Sequence, residues 1–150
     1  MKAKQKTPKT TTAAGKRYEG FSEEEKAAMK DAVREQRAGK TDGESDALEK
    51  IAQMTGSDRT MAERLHTIIK GADPEISAKT WYGMPAYAKG GNTICFFKPA
   101  AKFKVRYATL GFSDKAKLDD GEMWPTEYAI AKLGAAEEKK IVALIKKAVG

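Results

Sequence analysis

The residues able to do chemistry are few, and their types set the first limits. The chain has one histidine, His66, and one cysteine, Cys95. A structural zinc site takes four such ligands, and a Ser-His-Asp arrangement would have to run through His66. His66 adjoins Leu65 in a helical pattern and reads as a histidine on a helix flank, at the edge of the core or in solvent. Cys95 stands in Ile94-Cys95-Phe96-Phe97 with no basic neighbour to lower its pKa, which makes it a small buried hydrophobe rather than a nucleophile. Gly39-Lys40-Thr41 resembles the end of a phosphate-binding loop, but Arg34 stands where that loop needs its first glycine. Asp114, Asp119, Asp120 and Glu122 could offer oxygen ligands to a hard cation, yet they lack the alternating spacing of a calcium loop and read as a solvated turn. No spacing of acid, base and nucleophile emerges, so no catalytic residue is assigned and the chain reads as a non-enzyme.

The densest segment is Trp81-Tyr82-Gly83-Met84-Pro85-Ala86-Tyr87. Three aromatics, a methionine, a proline and a glycine in so short a stretch are unusual for a plain surface loop. Pro85 cannot donate a sheet hydrogen bond, and Gly83 allows a close backbone approach. One reading gathers Trp81, Tyr82, Met84, Pro85, Tyr87, Phe97 and Trp124 into an aromatic pocket, where ring bodies supply apolar area and polar tips supply orientation. The other packs the same side chains as the core of a small sheet.

The elements that position these residues follow from periodicity. Ser22 with Glu25 three residues on is a capping box, and Glu23, Glu24 and Glu25 lie at the positive end of a helix predicted over 23–38 and stopping at Gly39. Its apolar stripe is thin, Ala28, Met29, Ala32 and Val33, so it reads as peripheral. After a linker over 39–43, Leu48, Ile51 and Ala52 mark a second, short helix. Ser57 and Asp58 open a third, whose inward face is Met61, Leu65, Ile68, Ile69 and Ala72. From Thr80 the period falls to two, and runs over 81–88, 93–98 and 102–110 read as an antiparallel meander, with Gly90-Gly91 as a hairpin turn and Pro99 as a break. In the third run Phe103, Val105 and Tyr107 point one way and Lys102, Lys104 and Arg106 the other. Residues 126–133 fit either strand or helix. Ile141, Leu144, Ile145 and Ala148 share a face of a last helix, with Glu137 and Glu138 in its first turn and Lys146 and Lys147 in its last.

At 150 residues, with 41% apolar and 33% charged residues, the chain has room for one globular domain that needs no crosslinks. The net charge of +7 is unevenly spread. Residues 1–20 hold six basic residues and one acidic; residues 21–79 hold ten and thirteen; residues 80–150 hold twelve and seven. The first twenty residues carry no aromatic before Tyr18 and read as a disordered basic tail. No stretch is apolar enough for a secretory signal or a membrane span, and the lone cysteine fits a reducing compartment, so the expected location is the cytoplasm. The division is then a tail over 1–20, a peripheral helix and linker over 21–42, and an α+β domain over 43–150.

The aromatic segment, together with Phe96-Phe97, Leu110-Gly111-Phe112-Ser113 and Trp124-Pro125, resembles the YdhG-like family of small bacterial domains. The resemblance spans residues 47–149. It implies a two-layer α+β fold, an antiparallel sheet with helices before and after it, and it favours a last strand within 126–133. Some members are described as intracellular iron chaperones, so the resemblance also implies iron as a ligand; nothing in the residues themselves calls for a cofactor. The expected function is a non-catalytic binding domain that takes a small ligand, a protein segment or a metal at the aromatic pocket and nearby carboxylates. The alternative is weak, nonspecific association with nucleic acid through the Lys-rich tail and the basic face Lys102, Lys104 and Arg106.

Overall fold

The computed structural model describes residues 21–38 and 43–150, of 34–38 the backbone only. The predicted basic tail, the stop at Gly39 and the linker over 39–42 lie outside the described residues. Helix α1, Glu23–Ala38, starts as its sequence requires: Ser22 Oγ accepts the Glu25 N–H at 3.1 Å, and Glu25 Oε1 accepts the Ser22 N–H at 3.0 Å. Helix α2, Gly43–Gln53, begins at the residue read as the end of the linker. It turns Ala47 and Ile51 inward and leaves Leu48 exposed, so the spacing that matters is i, i+4 from Ala47, not the triplet Leu48, Ile51 and Ala52. Helix α3, Gly56–Ala72, buries Met61, Leu65 and Ile69, as the periodicity predicts.

The sheet is a five-stranded antiparallel meander in chain order, β1 Ser77–Trp81, β2 Met84–Lys89, β3 Asn92–Lys98, β4 Ala108–Phe112 and β5 Glu127–Ile130. Helix α5, Ala135–Val149, closes the fold. With helices before and after an antiparallel sheet, the architecture is α+β, and 126–133 contributes the expected last strand.

Two stretches differ from their sequence reading. The run over 81–88 is not one strand: β1 and β2 are joined by the two-residue turn Tyr82-Gly83, both at positive φ (54° and 75°), the backbone that matches hairpin twist. The run over 102–110 is not a strand at its start. Pro99, at φ −71°, leads into a one-turn helix α4, Ala100–Phe103, and the chain reverses through Lys104 in the left-handed region before β4 begins at Ala108. The carboxylate of Asp58, from the first turn of α3, accepts the Ala101 N–H at 2.8 Å and so caps this short helix from a distance. Local alternation predicted a strand there, and capping from a residue 43 positions earlier overrides it.

The sheet has an inner face and an outer face. On the inner face Ala78, Tyr87, Cys95, Phe97, Leu110 and Phe112 pack against Ala47 and Ile51 of α2, Leu65 and Ile69 of α3, and Ile141, Ile145 and Ala148 of α5. Each large aliphatic side chain buried here contributes about 1.5–3 kcal/mol. Ile94 has no partner between the pairs Tyr87–Cys95 and Ala88–Thr93, a bulge that lets it join the same core. On the outer face a second, smaller cluster joins Ala28 of α1, Met84 and Phe103, with Trp81 and Phe96 partly buried against it. This cluster lies over β1 to β3; the β4 and β5 half of that face is open.

Candidate functional site

The hairpin turn decides where the aromatic segment goes. Along β2 from its first residue, Met84 and Ala86 face outward while Pro85 and Tyr87 face inward. Tyr87 and Phe97 are each 1% exposed inside the main core, Pro85 is fully buried, and Trp124 is half-buried against that core. Trp81 and Met84 belong to the outer cluster, and Tyr82 is exposed at the turn. The sheet therefore separates Trp81, Tyr82 and Met84 from Pro85, Tyr87, Phe97 and Trp124, and the seven do not line one cavity. On the outer side Trp81 lies 5.3 Å from Phe96 and 5.1 Å from Tyr82, ring centre to ring centre. The Phe96 ring covers Gly111 on the neighbouring strand so closely that a Cβ there would collide with it.

The three predicted basic residues divide between two places, Lys102 apart from Lys104 and Arg106. Lys102, on α4, donates to the Gly83 carbonyl at 3.1 Å and lies 3.7 Å from Asp31 Oδ2. Lys104 pairs with Glu24 of α1 at 2.9 Å; the hydrogen bond from Lys104 holds the Glu24 carboxyl below its ordinary range and raises the lysine in return. Arg106 stacks its guanidinium 5.3 Å from the Tyr107 ring centre. They form no stripe, because the strand that would have aligned them begins only at Ala108.

What the structure assembles instead is an open groove of about 680 Å³ on the uncovered half of the outer face. Lys98 and Thr109, paired across β3 and β4, line it together with Lys104, Arg106 and Tyr107 from the connection between those strands and Glu127 on β5. Tyr107 is 41% exposed. A second hollow of about 400 Å³ opens beside Lys50, Thr55, Asp58, Gly83 and Lys102.

One polar constellation lay beyond sequence reasoning. His66 Nδ1 is 3.0 Å from the Tyr87 hydroxyl, His66 Nε2 is 3.0 Å from Glu44 Oε2, and Glu44 Oε1 accepts from Lys70 Nζ at 2.7 Å. The only early signal was the position of His66 beside the core. The chain of contacts ends in a phenol that is sealed in the core, and burial is the first cause of its raised pKa, followed by the charges of Cys95 and Glu44. Burial also pushes the Cys95 thiol up to about 12. Tyr87 and Cys95 are sealed from solvent, whereas Glu44 at the other end of the network is part-exposed, and the network ties α2, α3 and β2 together. Among the described residues no three His, Cys, Asp or Glu side chains gather where they could hold a metal ion, Asp114, Asp119, Asp120 and Glu122 included, and no helix is long and apolar enough to cross a membrane.

Fold and site together define an α+β domain on an antiparallel meander with a cationic groove on its outer face. Comparison with family models, with curated proteins and with solved structures finds no match.

Proposed function

We propose that the protein is a non-catalytic binding domain and that it takes a single-stranded nucleic acid, weakly and without sequence preference, along the groove over β4 and β5. The observation that carries this reading is the convergence of Lys98, Lys104 and Arg106 with the exposed ring of Tyr107 on one open concavity. Cations spaced along a groove suit phosphates, and an exposed aromatic face suits stacking on any base. Residues 1–20, with six basic residues against one acidic, add further nonspecific attraction. The aromatic pocket expected from sequence gives way to this groove because the sheet divides its members, and the iron reading has no ligand cluster behind it among the described residues.

The test is anisotropy of a labelled poly-dT strand titrated with the full chain over a range of salt. Lys98→Ala with Arg106→Ala is expected to lower the slope of log K against log salt by about one for each phosphate that is no longer neutralised, and Tyr107→Ala to weaken binding by about 1–3 kcal/mol without changing that slope. Unchanged affinity and slope in the groove variants would assign all binding to residues 1–20 and remove the groove from the reading.

A further inference from the structure

The groove over β4 and β5 holds one group that its cations do not account for. Ala86, Phe96, Gly111 and Glu127 stand opposite one another across β2 to β5, so Glu127 lies on the outer face. Thr109, opposite Ala129, lies one row along, a diagonal neighbour about 7–8 Å away. Both line the groove, Glu127 exposed and Thr109 half-buried. The row of Glu127 supplies no counter-charge, because Gly111 has no side chain and the ring of Phe96 covers it. The cations of the groove make their contacts elsewhere: Lys104 with Glu24, Arg106 with the Tyr107 ring and Lys98 with the Phe103 ring. Among the described residues, neither the Glu127 carboxylate nor the Thr109 hydroxyl has a hydrogen-bond or ion-pair partner.

A carboxylate repels phosphate, so a strand whose phosphates lie on Lys98, Lys104 and Arg106 has to present something else to Glu127. An ionised carboxylate only accepts hydrogen bonds, and what it faces must therefore be a donor. The N–H donors of the bases sit at positions that differ from one base to the next, which does not suit a groove without sequence preference. The ribose 2′-hydroxyl sits at the same place on every nucleotide, and deoxyribose lacks it. We propose that the strand taken by the groove is RNA rather than DNA, with Glu127 accepting the hydrogen bond of a 2′-hydroxyl and the Thr109 hydroxyl donating to a sugar oxygen beside it. A hydroxyl bound to a carboxylate makes a stronger hydrogen bond than a neutral pair does, and the same carboxylate faces DNA with nothing to accept from the sugar. The inference rests on the reading of the groove as a single-strand site and adds which sugar that site selects.

The experiment titrates the full chain into three labelled strands of equal length at one salt concentration: oligo-U RNA, oligo-dU, and oligo-U methylated at every 2′-oxygen. All three carry the same base, so the sugar is the only difference. The wild type is expected to bind oligo-U about tenfold more tightly than oligo-dU. The methylated strand keeps the 2′-oxygen and loses its proton, so it is expected to bind no more tightly than oligo-dU. Glu127→Ala is expected to bring oligo-U and oligo-dU within about twofold of each other, by losing affinity for RNA and gaining affinity for DNA as the repulsion goes. Glu127→Gln drops the charge and keeps an acceptor oxygen, so it is expected to retain part of the preference. Equal affinity of the wild type for oligo-U and oligo-dU, or a preference for RNA that persists undiminished in Glu127→Ala, would overturn the inference. If Lys98→Ala with Arg106→Ala then still weakens both strands, the groove stands as a single-strand site and only the choice of sugar fails. If that double variant weakens neither strand, the groove reading fails and this inference fails with it.

Discussion

The Tyr87 hydroxyl meets His66 Nδ1 at 3.0 Å, a polar contact that ties the second strand of the sheet to helix α3 beside their apolar packing. The other ring nitrogen of His66 reaches Glu44, and Glu44 reaches Lys70, so α2 joins the same chain of contacts. In the neutral ring whose Nε2–H donates to Glu44, Nδ1 accepts a hydrogen bond from the phenolic O–H, and a tyrosine 1% exposed satisfies its hydroxyl in the core.

Tyr87→Phe removes that hydroxyl and leaves a partly buried imidazole nitrogen without its partner. The expected cost is about 1–2 kcal/mol, since the ring still fills its place and only the hydrogen bond and its desolvation balance change. Urea unfolding reads it as a lower midpoint at an unchanged slope. His66→Ala with Tyr87→Phe together are expected to cost less than the sum of the two single changes, because each single change already breaks the same hydrogen bond.

Most of the helical frame was legible in the sequence because periodicity and caps are local: Ser22 with Glu25, the Met61 to Ile69 face and the Ile141 to Ala148 face needed no knowledge of distant residues. What was not legible depended on distant partners or on an unusual backbone. Tyr82 accepts positive φ without being glycine or asparagine, so this two-residue hairpin lacked the signal that Gly90-Gly91 gave the next one, and missing it concealed the division of Trp81 and Met84 from Tyr87 and Phe97. Lys102 to Tyr107 alternate basic and apolar residues as a strand would, yet Pro99 and the distant carboxylate of Asp58 fold the first of them into a helical turn. The partners of His66 lie 21 and 22 positions away, beyond any local pattern.

Gly111→Ala tests the close approach of β3 and β4. The new methyl group would strike the ring of Phe96, and the expected destabilisation is about 1–3 kcal/mol, the usual cost of overpacking. Phe96→Leu in the same chain is expected to recover part of it by vacating the space above position 111. Thermal unfolding of the two single variants and the double variant decides the matter: additive losses would mean that the ring and the glycine do not interact.

Acid stability should carry the mark of Glu44. The hydrogen bond from Lys70, then that from His66, holds its carboxyl below the ordinary 4.5. A depressed folded pKa contributes stability that is complete above the unfolded value and is lost as pH falls through the folded value. Lys70→Met removes the larger cause, so the Glu44 carboxyl is expected to titrate closer to its ordinary value in an NMR titration, and the loss of stability on acidification to flatten. Asp73 beside Lys89 and Glu138 beside Arg64 are lowered for the same reason, so acid weakens several fastenings over one pH range. Unmoved Glu44 titration in Lys70→Met would show that the lysine does not set it.

Cys95 offers a readout of the core itself. It is fully buried between Tyr87 and Phe112 in the sheet register, and burial raises its thiol to about 12, so at neutral pH both access and thiolate are denied to a reagent. A disulfide reagent added to the native chain is expected to react only through opening of the sheet, at a rate that rises with urea in step with unfolding. Tyr87→Phe and Gly111→Ala, which weaken the neighbouring strands from opposite sides of Cys95, are then expected to speed labelling in proportion to their loss of stability when opening and closing are fast. Rapid labelling of the wild type without denaturant would mean that β3 opens locally, and the inner core would then be less continuous than its packing implies.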